Sequence, residues 1–150
     1  MTASIVVEWD NARLVAESRP MRMLSALAAE LAGVSDVIEV LLVHGGGFVP
    51  YQIGRFVHGW KMRPEPQIHV KQSPELWFDR LYYDTILHGK PQLEFLVGSV
   101  GASRVLLGSD YPYDMGTLDC VRQVEALSIP DADKAAVLGG NAMKLLVAAP

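Results

Sequence analysis

The chain has 150 residues, half of them hydrophobic and a fifth charged, with a formal net charge of −4. That length supports one modest domain with a core of its own, and the lack of any Lys/Arg cluster excludes nucleic acid as a partner class. A single cysteine, Cys120, excludes an intrachain disulfide and fits a reducing cytosol; no apolar run approaches the roughly 18–20 residues of a membrane span, and the acidic N-terminus lacks the basic region of a secretory signal, so a cytoplasmic domain with no membrane partner is expected.

In chain order, Ser4–Val7 is a candidate short strand and residues 8–20 show no periodicity. Over Met21–Leu31, Met23, Leu24, Leu27 and Leu31 share one helical face. Val37–Val43 is a nearly unbroken β-branched and aliphatic run, the pattern of a strand buried on both faces of a parallel sheet. It ends in His44-Gly-Gly-Gly47, a sharp turn with little side chain, and a helix is expected from Tyr51 to about Trp60. Leu81–Ile86 is the next strand, followed by a helix with Leu93, Leu96, Val97 and Val100 at i, i+3, i+4 and i+7. Arg104–Gly108 is another, with Ser109-Asp110-Tyr111-Pro112 as its C-terminal loop. A helix around Thr117–Leu127 and a helical pair over Ala132–Val147 finish the chain; Pro130 and Asp131 signal the start of that pair and Gly139-Gly140 divides it. Strand and helix alternate three times through short loops, which argues for parallel α/β structure. Three strands leave an exposed edge, so something further is expected to cover it.

In parallel α/β proteins the reactive groups sit where strands end, because the loops converge there above the sheet. His44 follows the Val37–Val43 strand and Asp110 follows Arg104–Gly108. Imidazole and carboxylate are metal ligands and proton-transfer groups. Taken alone, a histidine after a strand is more often a hydrogen-bonded structural residue, and an aspartate in such a turn more often an Asx-turn or helix cap. The glycine triplet has neither the G-x-G-x-x-G spacing nor the Lys-Ser/Thr of phosphate-binding loops; it is expected to let a substrate approach the backbone closely. Cys120 reads as a small apolar residue on a helix.

Context adds to this. His44-Gly-Gly-Gly-Phe-Val-Pro-Tyr-Gln-Ile-Gly-Arg55, then Gly59-Trp-Lys-Met-Arg-Pro-Glu65, Tyr82-Tyr-Asp-Thr85, Arg104-Val-Leu-Leu-Gly-Ser-Asp-Tyr-Pro112 and Gly139-Gly-Asn-Ala142 occur in order. Together they resemble the aminocarboxymuconate-semialdehyde decarboxylase branch of the amidohydrolase superfamily, from about Val37 to Leu146. The resemblance implies the C-terminal part of a metal-dependent (β/α)8 barrel, about three strand–helix units, with residues 1–20 an N-terminal segment of unassigned character and 21–150 the partial barrel. It implies Asp110 as the metal-binding carboxylate of the last strand, and His44 as the acid/base acting on metal-bound water. Arg55 and Arg63 match arginines that bind substrate carboxylates, Arg55 reaching into a neighbouring subunit's site; a solvated helix face is the alternative for both. The implied cofactor is a divalent metal, zinc first, and the implied substrate a small unsaturated or aromatic carboxylic acid that is decarboxylated without oxidation, or hydrolysed.

The chain departs from that family in one respect. No His-x-His occurs, and His58, His69 and His88 are isolated and make poor ligands. The family's fifth-strand histidine has no match; Glu8, after the Ser4–Val7 segment, holds a comparable strand position, but its distance to His44 along the sequence is too short. One carboxylate and one imidazole fall short of the three protein ligands a catalytic zinc takes. The chain alone is therefore expected to bind metal weakly and to need a homo-oligomer or a partner chain supplying the missing barrel half. A noncatalytic interaction or regulatory subunit, or a gene remnant, are the rival readings.

Overall fold

A computed structural model describes residues 3–7 and 37–148. Four parallel strands lie in sequence order: β1 (Ala3–Val7), β2 (Val37–Leu42), β3 (Leu81–Asp84) and β4 (Val105–Leu106). β2 pairs with β1 (Val7 opposite Leu42) and with β3 (Leu42 opposite Tyr83), and β3 with β4 (Tyr83 opposite Val105). The candidate strand at Ser4–Val7 is β1, paired along β2, and it adds a fourth strand to the three expected to head strand–helix units. The helix expected over Met21–Leu31, and Glu8, lie outside the described residues.

Seven α-helices lie among the described residues: α1 (Val49–Met62), α2 (Pro64–His69), α3 (Glu75–Phe78), α4 (Lys90–Val100), α5 (Cys120–Glu125), α6 (Asp131–Ala135) and α7 (Asn141–Ala148). α1 begins earlier than expected because Pro50 occupies its first turn, where the missing N–H costs nothing. α2 and α3 were not expected from the sequence. Trp60 Nε1 donates to the Val70 carbonyl at 2.7 Å and Gln67 Nε2 to the Trp60 carbonyl at 2.6 Å, so this short stretch is held by contacts rather than by periodicity. None of these helices is long and apolar enough to cross a membrane.

One face of the sheet carries the core. Val40, Leu42, Leu81, Tyr83 and Val105 pack beneath Phe56 and Val57 of α1, Phe78 of α3, and Leu93, Leu96 and Val97 of α4. The Phe56 and Phe78 rings stack with centroids 5.9 Å apart. Alternate residues face the other way and are half-exposed: Leu41, Tyr82 and Leu106, with the Arg104 guanidinium 4.9 Å over the Tyr82 ring. The β4 end of the sheet is closed by the C-terminal helices. A wide π-type turn at Ala136–Gly140 turns the Val137 carbonyl toward the Leu107 N–H, 3.1 Å away. Asn141, buried at the start of α7, donates through Nδ2 to the carbonyls of Ala102 and Val105, 2.8 Å each. The closing Gly-Gly-Asn motif therefore ties the last helix to the last strand.

Candidate functional site

The three strands β2, β3 and β4 end at one edge of the sheet, and the loop after each carries polar residues within four positions of the strand end. His44 opens the loop after β2 in a left-handed backbone (φ 56), and Asp110 sits in the loop after β4 with the same conformation (φ 56). Their side chains meet: His44 Nε2 lies 3.5 Å from Asp110 Oδ1. At 29% and 16% exposure both are reachable from solvent yet partly desolvated, so a ligand can approach them. The expectation that they share one end of a parallel sheet holds.

The dipeptide Asp84-Thr85, between them at the end of β3, aligns the two loops. Asp84 is buried, and its carboxylate accepts three backbone N–H groups: His44 at 2.9 Å, Gly45 at 2.8 Å and Ile86 at 3.0 Å. The bond from Ile86 is an Asx-type turn and ends β3 two residues before the expected Ile86. On the other side, Thr85 Oγ1 accepts from the Gly108 N–H at 3.1 Å and donates to the Gly108 carbonyl at 3.3 Å. One carboxylate thus anchors the His44 loop, and one hydroxyl anchors the chain two residues before Asp110. The sequence marked Tyr82–Thr85 as a motif without a role; the signal was a polar pair ending an apolar strand.

The glycine triplet answers mainly to packing. A Cβ on Gly45 would lie 2.6 Å from Leu87, and one on Gly46 2.5 Å from the Tyr83 ring, and all three glycines have positive φ. The close approach expected for a substrate is therefore made, at Gly45 and Gly46, by the chain's own side chains; Gly47 alone of the three faces the cavity below. Tyr83 is fully buried, and its hydroxyl has no hydrogen-bond partner among the described residues. Burial pushes this phenol well above the usual tyrosine range, partly opposed by Arg104.

Above the strand ends lies a cavity of about 550 Å³. His44, His88, Asp110, Tyr113 and Asp114 supply its polar wall, and Phe48, Ile86, Leu87 and Met115 its apolar one. The loop after β4 folds back to form part of it: the Thr117 N–H donates to the Ser109 carbonyl at 2.8 Å and Tyr113 N–H to the Asp110 carbonyl at 2.9 Å. Sequence reasoning set His88 aside as an isolated loop residue, yet it lines this cavity with His44 and Asp110. Arg55 on α1 and Arg63 at its C-terminal cap are exposed and do not line it. Among the described residues no three His, Cys, Asp or Glu side chains are grouped to hold a metal ion. Asp110 and His44 are suitable donors in kind but too few, so the described residues do not fit a metal by themselves.

Residues 15–147 match the sequence profile of the amidohydrolase family. The chain belongs to that family. It is 34% identical over 111 residues to a 2-amino-3-carboxymuconate-6-semialdehyde decarboxylase of Dictyostelium discoideum, an alignment covering 73% of this chain and 31% of that protein. It is 33% identical over 124 residues to the protein of the same name from Caenorhabditis elegans, covering 81% of this chain and 31% of the relative. Among solved amidohydrolase-like structures, a 2,6-dihydroxybenzoate decarboxylase complexed with 2,6-dihydroxybenzoate superposes with a TM-score of 0.63 at 25% identity, over 75% of this chain and 35% of that one. The chain thus spans about a third of the length of each. The family expected from the strand-end motifs is the family found, and the match begins earlier in the chain than those motifs do.

Proposed function

We propose that this chain forms the C-terminal part of the active site of a metal-dependent (β/α)8-barrel decarboxylase acting on a small unsaturated or aromatic carboxylic acid. The observation that carries the proposal is the His44–Asp110 pair, 3.5 Å apart over a cavity at the strand ends, in a chain similar to several proteins named as decarboxylases of such acids. Asp110 contributes one metal-binding carboxylate. His44 transfers the proton, its position set by the Asp84 carboxylate. Arg55 and Arg63, which do not line the cavity of this chain, take substrate carboxylates in the assembled protein, Arg55 in the site of a neighbouring copy; an exposed guanidinium forks onto such groups well. The metal is a divalent cation, zinc first, with its remaining ligands supplied by the other part of the barrel, in this polypeptide or a partner. The half-exposed sheet face and the apolar residues Met143, Leu146 and Val147 exposed on α7 suit such an association.

The test is a ligand count made in solution. The 150-residue chain alone should retain little zinc or manganese after dialysis and should not consume substrate. Adding a polypeptide that supplies the His-x-His half should give tight metal binding and loss of substrate absorbance. Asp110→Ala should abolish the gain in metal, whereas His44→Ala should keep the metal and lose turnover. Metal bound in full by the reconstituted protein with no turnover on any carboxylic acid would favour a second reading, a noncatalytic regulatory subunit. That reading is supported by the missing ligand trio among the described residues.

A further inference from the structure

Only three residues other than glycine have a positive φ among the described residues: His44 (56), His88 (58) and Asp110 (56). Each lies in the loop directly after its strand, β2, β3 and β4 in turn, and each lines the same cavity. A left-handed backbone is costly for any residue with a Cβ, and such positions cluster where a side chain must be aimed. His88 is the central residue of a three-residue turn, in which the Gly89 N–H donates to the Leu87 carbonyl at 2.7 Å; a like turn over 85–87, Leu87 N–H to the Thr85 carbonyl at 2.8 Å, precedes it. Glycine, which adopts this conformation without penalty, is the next residue in the chain; the strained position itself carries an imidazole.

The charges of the cavity say what that imidazole meets. Asp110 and Asp114 bring two carboxylates to the wall, so a carboxylate substrate entering it needs hydrogen-bond donors, which the lining side chains offer as the Tyr113 hydroxyl and two imidazoles. Arg55 and Arg63 do not line the cavity, and its two nitrogen-bearing side chains are His44 and His88. His44 already faces Asp110 at 3.5 Å. The ring of His88 makes no hydrogen bond to any described residue and stands exposed at the mouth. It does not complete a group of three metal ligands.

Resting on the carboxylic-acid reading above, we infer that His88 is a substrate-contacting residue, donating a hydrogen bond to a carboxylate or ring oxygen of the ligand at the mouth of the cavity. It sets orientation and specificity and takes no part in binding the metal.

The probe is 2,6-dihydroxybenzoate, titrated into the full chain labelled with 15N-histidine while ring-nitrogen resonances are followed by NMR. The four histidines are assigned from single His→Gln variants. The probe should shift the His44 and His88 signals along one common saturation curve and leave His58, exposed on α1, unmoved. His88→Ala should weaken binding about tenfold, the loss of one charge-assisted hydrogen bond. His88→Gly, which suits the backbone better, should weaken it equally, so a folding defect is not the cause. His88→Gln, which keeps an N–H donor, should stay within about threefold of the parent. Saturation of the His44 signal with His88 silent, or unchanged affinity in both the Ala and Gly variants, would overturn the role of His88 and leave the carboxylate site standing. A probe that shifts neither histidine would overturn the carboxylate-site reading and the role of His88 together.

Discussion

Asp84→Asn tests whether one buried carboxylate sets the geometry of the site. Asp84 accepts three backbone N–H groups, two on Oδ1 and one, from His44, on Oδ2. The asparagine side chain is the same shape but keeps only one acceptor oxygen. With that oxygen toward Gly45 and Ile86, its NH2 faces the His44 N–H, donor against donor. A hydrogen bond to a charged acceptor contributes about 1.5–3 kcal/mol and a neutral one about 0.5–1.5 kcal/mol, so one bond is lost and two are weakened by about 1 kcal/mol each. Relief from burying a charge offsets part of this, leaving a net loss of about 2–4 kcal/mol. For a chain of this size each kcal/mol moves the melting temperature by about 2–4 °C, so a fall of roughly 4–16 °C is expected. Calorimetry measures the fall, and 15N-histidine spectra measure the local consequence, a shifted or broadened His44 ring signal with His58 unmoved. A melting temperature within about 2 °C of the parent, with the His44 signal in place, would refute the anchoring role.

Three further outcomes follow from the same geometry. Gly46→Ala combines a φ of 74 with a Cβ only 2.5 Å from the fully buried Tyr83 ring, and should cost about 2–4 kcal/mol in urea unfolding; a neutral result would mean that the ring has room to move. Asn141→Ala removes both donors to the Ala102 and Val105 carbonyls and should cost about 1–3 kcal/mol. Asn141→Asp, which sets a carboxylate against those oxygens, should be worse than alanine, and equal losses would show that the amide is not what binds α7 to β4. His88→Gly should leave stability unchanged or raise it by up to about 1 kcal/mol, read as a higher melting temperature. A clear loss there would show that the imidazole supports the fold, against the contact role inferred for it.

The chain's local chemistry was enough to predict several of these features. The apolar run at residues 37–43 gives strand β2 because β-branched residues suit extended backbone, although only one face is buried and Leu41 on the other is half-exposed rather than covered as expected; the 3.6-residue spacing of Leu93, Leu96 and Val97 favours the helix α4. His44 and Asp110 were legible because a polar residue after a parallel strand stands at the edge where loops converge, and because the motifs around them carry the family. Other features depended on contacts between residues far apart in sequence. β1 was legible only as a candidate strand, and its place in the sheet comes from pairing with a strand more than thirty residues on. Asp84 reaches back 40 residues to His44, and Thr85 forward 23 to Gly108, so their roles appear only when three strand ends lie side by side. His88 looked isolated for the same reason: neither its left-handed backbone nor its neighbours across the cavity are written in adjacent residues. Periodicity and propensity act within a few residues and are visible in a sequence, whereas a site at a sheet edge is assembled from separate strands and is decided by their register.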